Sequence, residues 1–172
     1  MTSVALTRRP ARSGALQTLK LGALAGLGAL ALYVLLFIVY AVTRASLQIL
    51  GTLSPGENLL GTLLANAFSI GLGATSVALL LALLVAPLGA LTLLLASWVD
   101  RWLNPHGERR RAAWIGAGVA AIVFELLTVL VLQGVGPFTA AFWPQGFLFW
   151  LGLPGVFFVV AMTLAAVRNA RV

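Results

Sequence analysis

Cysteine is absent from this chain, histidine occurs once, at His106, and methionine only at Met1 and Met162. Without thiols there are no disulfides, thiolate metal sites or thiol nucleophiles. With one histidine, the strong protein ligands for haem, iron–sulfur clusters or copper are missing. No metal site and no cofactor is expected. Acid is scarce as well: Glu57, Asp100, Glu108 and Glu125 stand against 11 Lys and Arg. Ser69, Thr75, Ser76 and Thr128 have no neighbouring His or Lys to serve as a base, so hydrolytic chemistry has no constellation behind it. Hydroxyls in such settings bond back to their own helix, and the chain is read as a non-enzyme.

Hydrophobic residues make up 61 % of the 172 residues and charged residues only 9 %, with a mean hydropathy of +1.05. Globular proteins average about 25 % charged. The composition is that of an integral membrane protein, and spans of about 20 residues each use up most of the chain, leaving a single membrane domain over residues 1–172. A formal net charge of +7 invites a nucleic-acid reading. The basic residues, however, flank lipid-soluble runs, so they orient the chain in a membrane and no nucleic-acid partner is expected.

Ten of the 11 basic residues fall into three clusters: Arg8, Arg9, Arg12 and Lys20; Arg101 and Arg109 to Arg111; and Arg168 with Arg171. Apolar stretches run between them from Leu21 to Val42, Leu59 to Val99, Ala112 to Gln133 and about Phe147 to Val167. The second, as one helix, would be roughly 60 Å long against a hydrocarbon core of about 30 Å. Reading it as two spans divides the basic residues between the two sides. Reading it as one puts all but Arg44 on the same side, which the positive-inside rule prefers.

The expected fold is therefore all-α: four spans, at about 21–43, 74–99, 112–133 and 147–167, with both termini cytoplasmic in a bacterial-type inner membrane. Trp98, Trp102 and Trp114 fall at the cytoplasmic boundary and Trp143 and Trp150 near the outer one, as aromatic belts do. Residues 1–20 form a cytoplasmic arm. Their Arg- and Ser-rich, acid-free composition also suits a transit peptide, but the apolar run after Lys20 is too long for a signal-peptide core and reads as a retained span.

Residues 59–73 are left over at the outer surface. Asn58, Thr62, Asn66, Ser69, Gly73 and Ser76 share one helical face there. The segment is either an interfacial helix entered after the Ser54-Pro55-Gly56 turn or an extension of the second span. The outer connection GVGPFTAAFWPQG, residues 134–146, is expected on the bilayer surface or against a partner. Small residues at Gly22 and Gly26, and at Ala113, Ala117 and Ala121, permit close helix contact.

Glu125 is the one acid inside an apolar run. Lying 14 residues beyond Arg111, it sits roughly 20 Å into the membrane. A carboxyl in hydrocarbon is stable chiefly as the neutral acid or beside a cation. Counted from the other basic ends, Tyr33, Pro87 and Pro154 fall at nearly the same depth. An interior proline frees the carbonyl four residues earlier, here Leu83 and Trp150. The Tyr33 hydroxyl and a protonated Glu125 are donors such carbonyls would accept, and Thr128, one turn on, is a local partner for Glu125. These five residues form the candidate intramembrane polar or proton site. Arg109, Arg110 and Arg111 are the candidate contact for anionic lipid or a partner, and His106 is expected to be solvated in the same loop.

The stretch GTLLANAFSIGLGATSVALLLALLVAPLGALTLL, from Gly61 to Leu94, resembles the helix pattern of binding-protein-dependent transport permeases. Those families engage an ATPase through a cytoplasmic loop with a Glu-Ala-Ala type motif. The loop here reads DRWLNPHGERRR, so that role does not carry over. Four spans with one embedded Glu is similar to the small multidrug-resistance exporters, whose carboxylate binds protons or cationic drugs. In that family the Glu lies in the first span of a shorter chain, whereas Glu125 lies in the third, and neither family is assigned. The sequence thus points to a non-catalytic structural or accessory subunit of a larger membrane complex, with bound lipid and other integral membrane subunits as partners. The alternative is a small transporter or proton-coupled carrier working through Glu125.

Overall fold

The computed structural model describes residues 14–52, 58–135 and 151–170. Outside them lie most of the arm, the Ser54-Pro55-Gly56 turn, all but the start of the outer connection, and Trp143, Trp150 and Arg171. The described residues are all-helical, with no strand among them: α1 covers Ala15–Thr52, α2 Leu59–Leu103, α3 Arg109–Val135 and α4 Leu153–Asn169. Long Ala- and Leu-rich runs favour the helical state, strongly enough for α2 to carry Pro87 in its interior. The first three helices are long and apolar enough to cross a membrane, and α4, of 17 residues, is apolar.

Helix α2 runs unbroken through Pro87 for 45 residues, or about 68 Å. Asn58 caps its start, its side chain accepting from the Gly61 amide at 3.1 Å while the Thr62 hydroxyl donates to its carbonyl. Residues 59–73 are therefore the first part of α2, not a separate element. Helices α1 and α2 are both far longer than the apolar core of a bilayer, and α3 turns back after Leu103.

Consecutive helices pack as neighbours and α4 returns to α1, so the four form a ring in which α2 and α4 also touch and α1 and α3 are diagonal. Glycine sets the closest approach. A Cβ on Gly22 would lie 2.8 Å from Leu93 Cβ and 2.9 Å from Ala90 Cα; one on Gly26 would meet the Val85 carbonyl at 2.9 Å, and one on Gly89 would meet Gly26 Cα and the Met162 methyl at 3.2 Å. These are backbone-to-backbone contacts that only a missing side chain allows. Around this crossing lie Leu93, Ala120, Phe158, Met162, Ala165 and Ala166, the buried cluster, with the Phe124 and Phe158 rings 6.2 Å apart.

Every buried residue of α1 and α2 lies in the half nearer the basic clusters: Thr18, Gly22, Gly26 and Ala29 in α1, and Gly89, Thr92, Leu93 and Ala96 in α2. Beyond Ala29 and before Gly89 the two helices touch each other but bury nothing fully, and Leu47, Leu50, Leu60, Leu64 and Phe68 are exposed. Among the described residues, full burial in the bundle is confined to one end.

One sequence expectation shifts. The buried stripe of α3 is Ala112, Gly116 and Ala120, one position before Ala113, Ala117 and Ala121. Gly116 meets Ala166 there, and in a run of small residues only a partner's position distinguishes one stripe from the next. Pro154 stands in the first α-helical turn of α4, which continues directly from a π-helical turn at 151–152, and the Trp150 carbonyl that it was expected to free lies outside the described residues.

Replacing Gly22 or Gly89 by valine should therefore separate α1 from α2, at a cost of about 1–3 kcal/mol. Gly28→Ala, where an added Cβ meets nothing within 4 Å, should be neutral or slightly stabilising. Thermal unfolding in detergent checks this, and equal melting of Gly22→Val and Gly28→Ala would refute the close crossing.

Candidate functional site

The intramembrane candidates divide: Pro154 stands at the level of Glu125, since Gly155 beside it packs on the Phe124 ring, whereas Tyr33 and Pro87 do not join them. Tyr33 sits on α1 and Glu125 on α3, the diagonal pair of the ring. Tyr33 is half-buried, its ring 6.5 Å from that of Phe37. Glu125 is exposed, in a row with Ile122, Leu126, Val129 and Leu130 on the outer face of α3. Thr128 is half-buried on the adjoining face. Pro87 is exposed, as is Leu83, whose carbonyl it frees, so that carbonyl belongs to the outward side of α2. The carbonyl of Trp150 lies outside the described residues.

The packing register explains why depth counting misleads. Gly22 packs on Gly89, Ala90 and Leu93 and Gly26 on Val85 and Gly89, so Pro87 stands at the level of Gly26, and Tyr33 lies about two turns, roughly 10 Å, further along α1. Counting from charged ends presumes that all helices start at one plane. Here α2 slides until its glycine meets those of α1.

Several hydroxyls of α2 and α4 stay within their own helices. Thr75 donates to the Gly71 carbonyl at 2.7 Å, Ser76 to Leu72 at 2.9 Å, Thr92 to Leu88 at 2.8 Å and Thr163 to Val159 at 2.7 Å. Each proton is committed to a backbone acceptor, an arrangement that satisfies polar groups in an apolar medium. Among the described residues no group of three or more His, Asp or Glu stands close enough to hold a metal ion.

Polar organisation concentrates at the basic end. Asn104 is fully buried and stitches α2 to α3. Its amide donates to Asp100 Oδ1 at 3.0 Å and to the Glu108 carbonyl at 2.8 Å, and its Oδ1 accepts from the Glu108 amide at 2.9 Å. Gly107, at φ 69°, supplies the left-handed residue that closes the loop. Across the ring the Thr18 hydroxyl donates to Asn169 Oδ1 at 3.2 Å, tying the start of α1 to the end of α4. Arg111 Nε meets Glu108 Oε2 at 3.1 Å with both side chains about half exposed, a pair worth at most about 1 kcal/mol. Arg109 and Arg110 are exposed beside it. On α1, toward the opposite end, Arg44 donates to the Tyr40 hydroxyl at 3.1 Å.

The structural role of Asn104 escaped the sequence reading. The signal was there in Asn104-Pro105, a turn-forming pair followed by Gly107 and Glu108. The Thr18–Asn169 contact, spanning nearly the whole chain, has no local signal at all. No protein-family model, no curated protein and no solved structure matches this chain.

Asn104→Ala should remove the three side-chain hydrogen bonds that close the exposed 105–108 turn, and leave a gap where the buried amide stood, at a cost of about 1–3 kcal/mol. Arg111→Ala should cost about 1 kcal/mol or less. Limited proteolysis of the 104–108 loop together with thermal unfolding compares the two, and equal effects would contradict the structural role of Asn104.

Proposed function

We propose that this chain is a four-span protein of a bacterial-type inner membrane, both termini cytoplasmic, serving as a non-catalytic accessory subunit of a larger membrane complex. The observation that carries the reading is the outward face of α3, where Glu125 is exposed among Ile122, Leu126 and Val129. A charged residue at the centre of a span costs about 2.5–3.5 kcal/mol on insertion scales unless something pairs with it. In a lone bundle that face would meet lipid tails. In an assembly it meets another subunit, whose cation or hydrogen-bonding group satisfies the carboxyl.

The carrier reading asks more of the chain. A route through Glu125 and Tyr33 would join faces of diagonal helices, with the small-residue core of Gly116, Ala120 and Met162 packed at the same end. Accessory function needs only the exposed surface. The orientation rests on the clustering of Lys20, Arg101, Arg109 to Arg111 and Arg168 at one end.

Two experiments test these statements. Glu125→Gln is expected to reduce recovery of a stoichiometric companion in detergent several-fold. The chain's own thermal unfolding should not change, because the side chain is exposed in the isolated bundle. Full co-purification with loss of ion or substrate flux would establish a carrier instead. The absence of cysteine makes single-cysteine labelling clean. With an impermeant maleimide on intact cells, Thr52→Cys should react and His106→Cys should stay protected until the membrane is opened. The reverse pattern would invert the topology.

A further inference from the structure

The basic end is built from all four helices. The Thr18–Asn169 hydrogen bond sets the first turns of α1, which carry Lys20, level with the last turn of α4, which carries Arg168. The Gly116–Ala166 contact brings the first turn of α3, with Arg109 and Arg110, to the same end of α4. The Asn104 turn joins that turn of α3 to Arg101 at the close of α2. All five of these side chains are exposed.

The nearby acids are already engaged. Asp100 accepts from Asn104 and Glu108 pairs with Arg111, the one ion pair among the described residues. Lys20, Arg101, Arg109, Arg110 and Arg168 have no carboxylate within ion-pair distance among those residues. The result is a ring of uncompensated positive charge around the bundle.

At the same end stand Trp98, three residues before Arg101, Trp102, next to it, and Trp114, three residues after Arg111, which are 58 %, 71 % and 73 % exposed. The Trp98 and Trp102 rings lie 5.9 Å apart. Indoles settle where the hydrocarbon meets the headgroups, so the charged ring falls at the depth of the lipid phosphates. From this juxtaposition we infer that the collar selects anionic phospholipids, holding a shell of phosphatidylglycerol-type headgroups around this end in preference to zwitterionic ones. Guanidinium groups fit the purpose because they bind phosphate in a fork of two N–H donors. The selection is a property of the chain itself and does not depend on whether a partner subunit covers Glu125.

Tryptophan fluorescence tests it directly. The full chain carrying Trp143→Phe and Trp150→Phe, which leaves the three indoles of this end as reporters, is placed in vesicles of mixed phosphatidylglycerol and phosphatidylcholine, with one or the other brominated in its acyl chains. Brominated phosphatidylglycerol is expected to quench more strongly, with a relative association about fivefold or more in its favour at low salt. The advantage should shrink in concentrated salt as the charges are screened. Combined Arg109→Gln, Arg110→Gln and Arg168→Gln should lower the ratio toward one. Equal quenching by the two lipids in the chain with all its arginines would overturn the inference, and would leave the collar to an acidic protein surface. A preference that ignores both salt and the three substitutions would overturn it as well.

Discussion

The close crossing of α1 and α2 at Gly22, Gly26 and Gly89 is the contact on which the remaining arrangement depends. In lipid there is no hydrophobic drive to press helices together, so association relies on dispersion and on how nearly two backbones can approach. Only these glycines let α1 and α2 meet backbone to backbone, and the Met162 methyl of α4 closes the same point from across the ring. The crossing fixes the slide of one helix against the other. It thereby decides which side chains share a level.

The location of the core follows. Because the glycines lie near the basic end, burial accumulates there, through Leu93, Ala120, Phe158 and Met162. The far halves of α1 and α2 run on as a pair with leucines outward. The polar contacts that need exact partners, Asn104 between α2 and α3 and Thr18 with Asn169 between α1 and α4, sit at the tight end too. Two surfaces of different chemistry result. One is a charged collar with its indole belt, and the other is an apolar face of α3 interrupted by Glu125.

Much of this was legible in the sequence because hydropathy and charge are local properties. All-helical structure, long apolar helices, the Gly22–Gly26 contact and the clustering of arginine at loop positions all come from runs of a few residues. The direction a side chain faces does not. Glu125 was read as one of a layer at a single depth with Tyr33, Pro87 and Pro154; it does lie level with Pro154, but its side chain is exposed, and Tyr33 is about two turns along α1 from the level of Pro87. Both outcomes depend on where Gly89 meets α1, a contact between residues far apart in the chain. Ala113 and Ala112 are likewise equivalent until Ala166 packs against Gly116.

The account's central claim is that the Glu125 face of α3 meets protein and the leucine face of α2 meets lipid. Site-specific photo-crosslinking in the native membrane compares them, with the reactive side chain placed in turn at Leu126 on α3 and at Leu80 on α2. The account predicts one protein adduct of defined mass from Leu126 and lipid adducts from Leu80. Lipid adducts alone at both positions would contradict it.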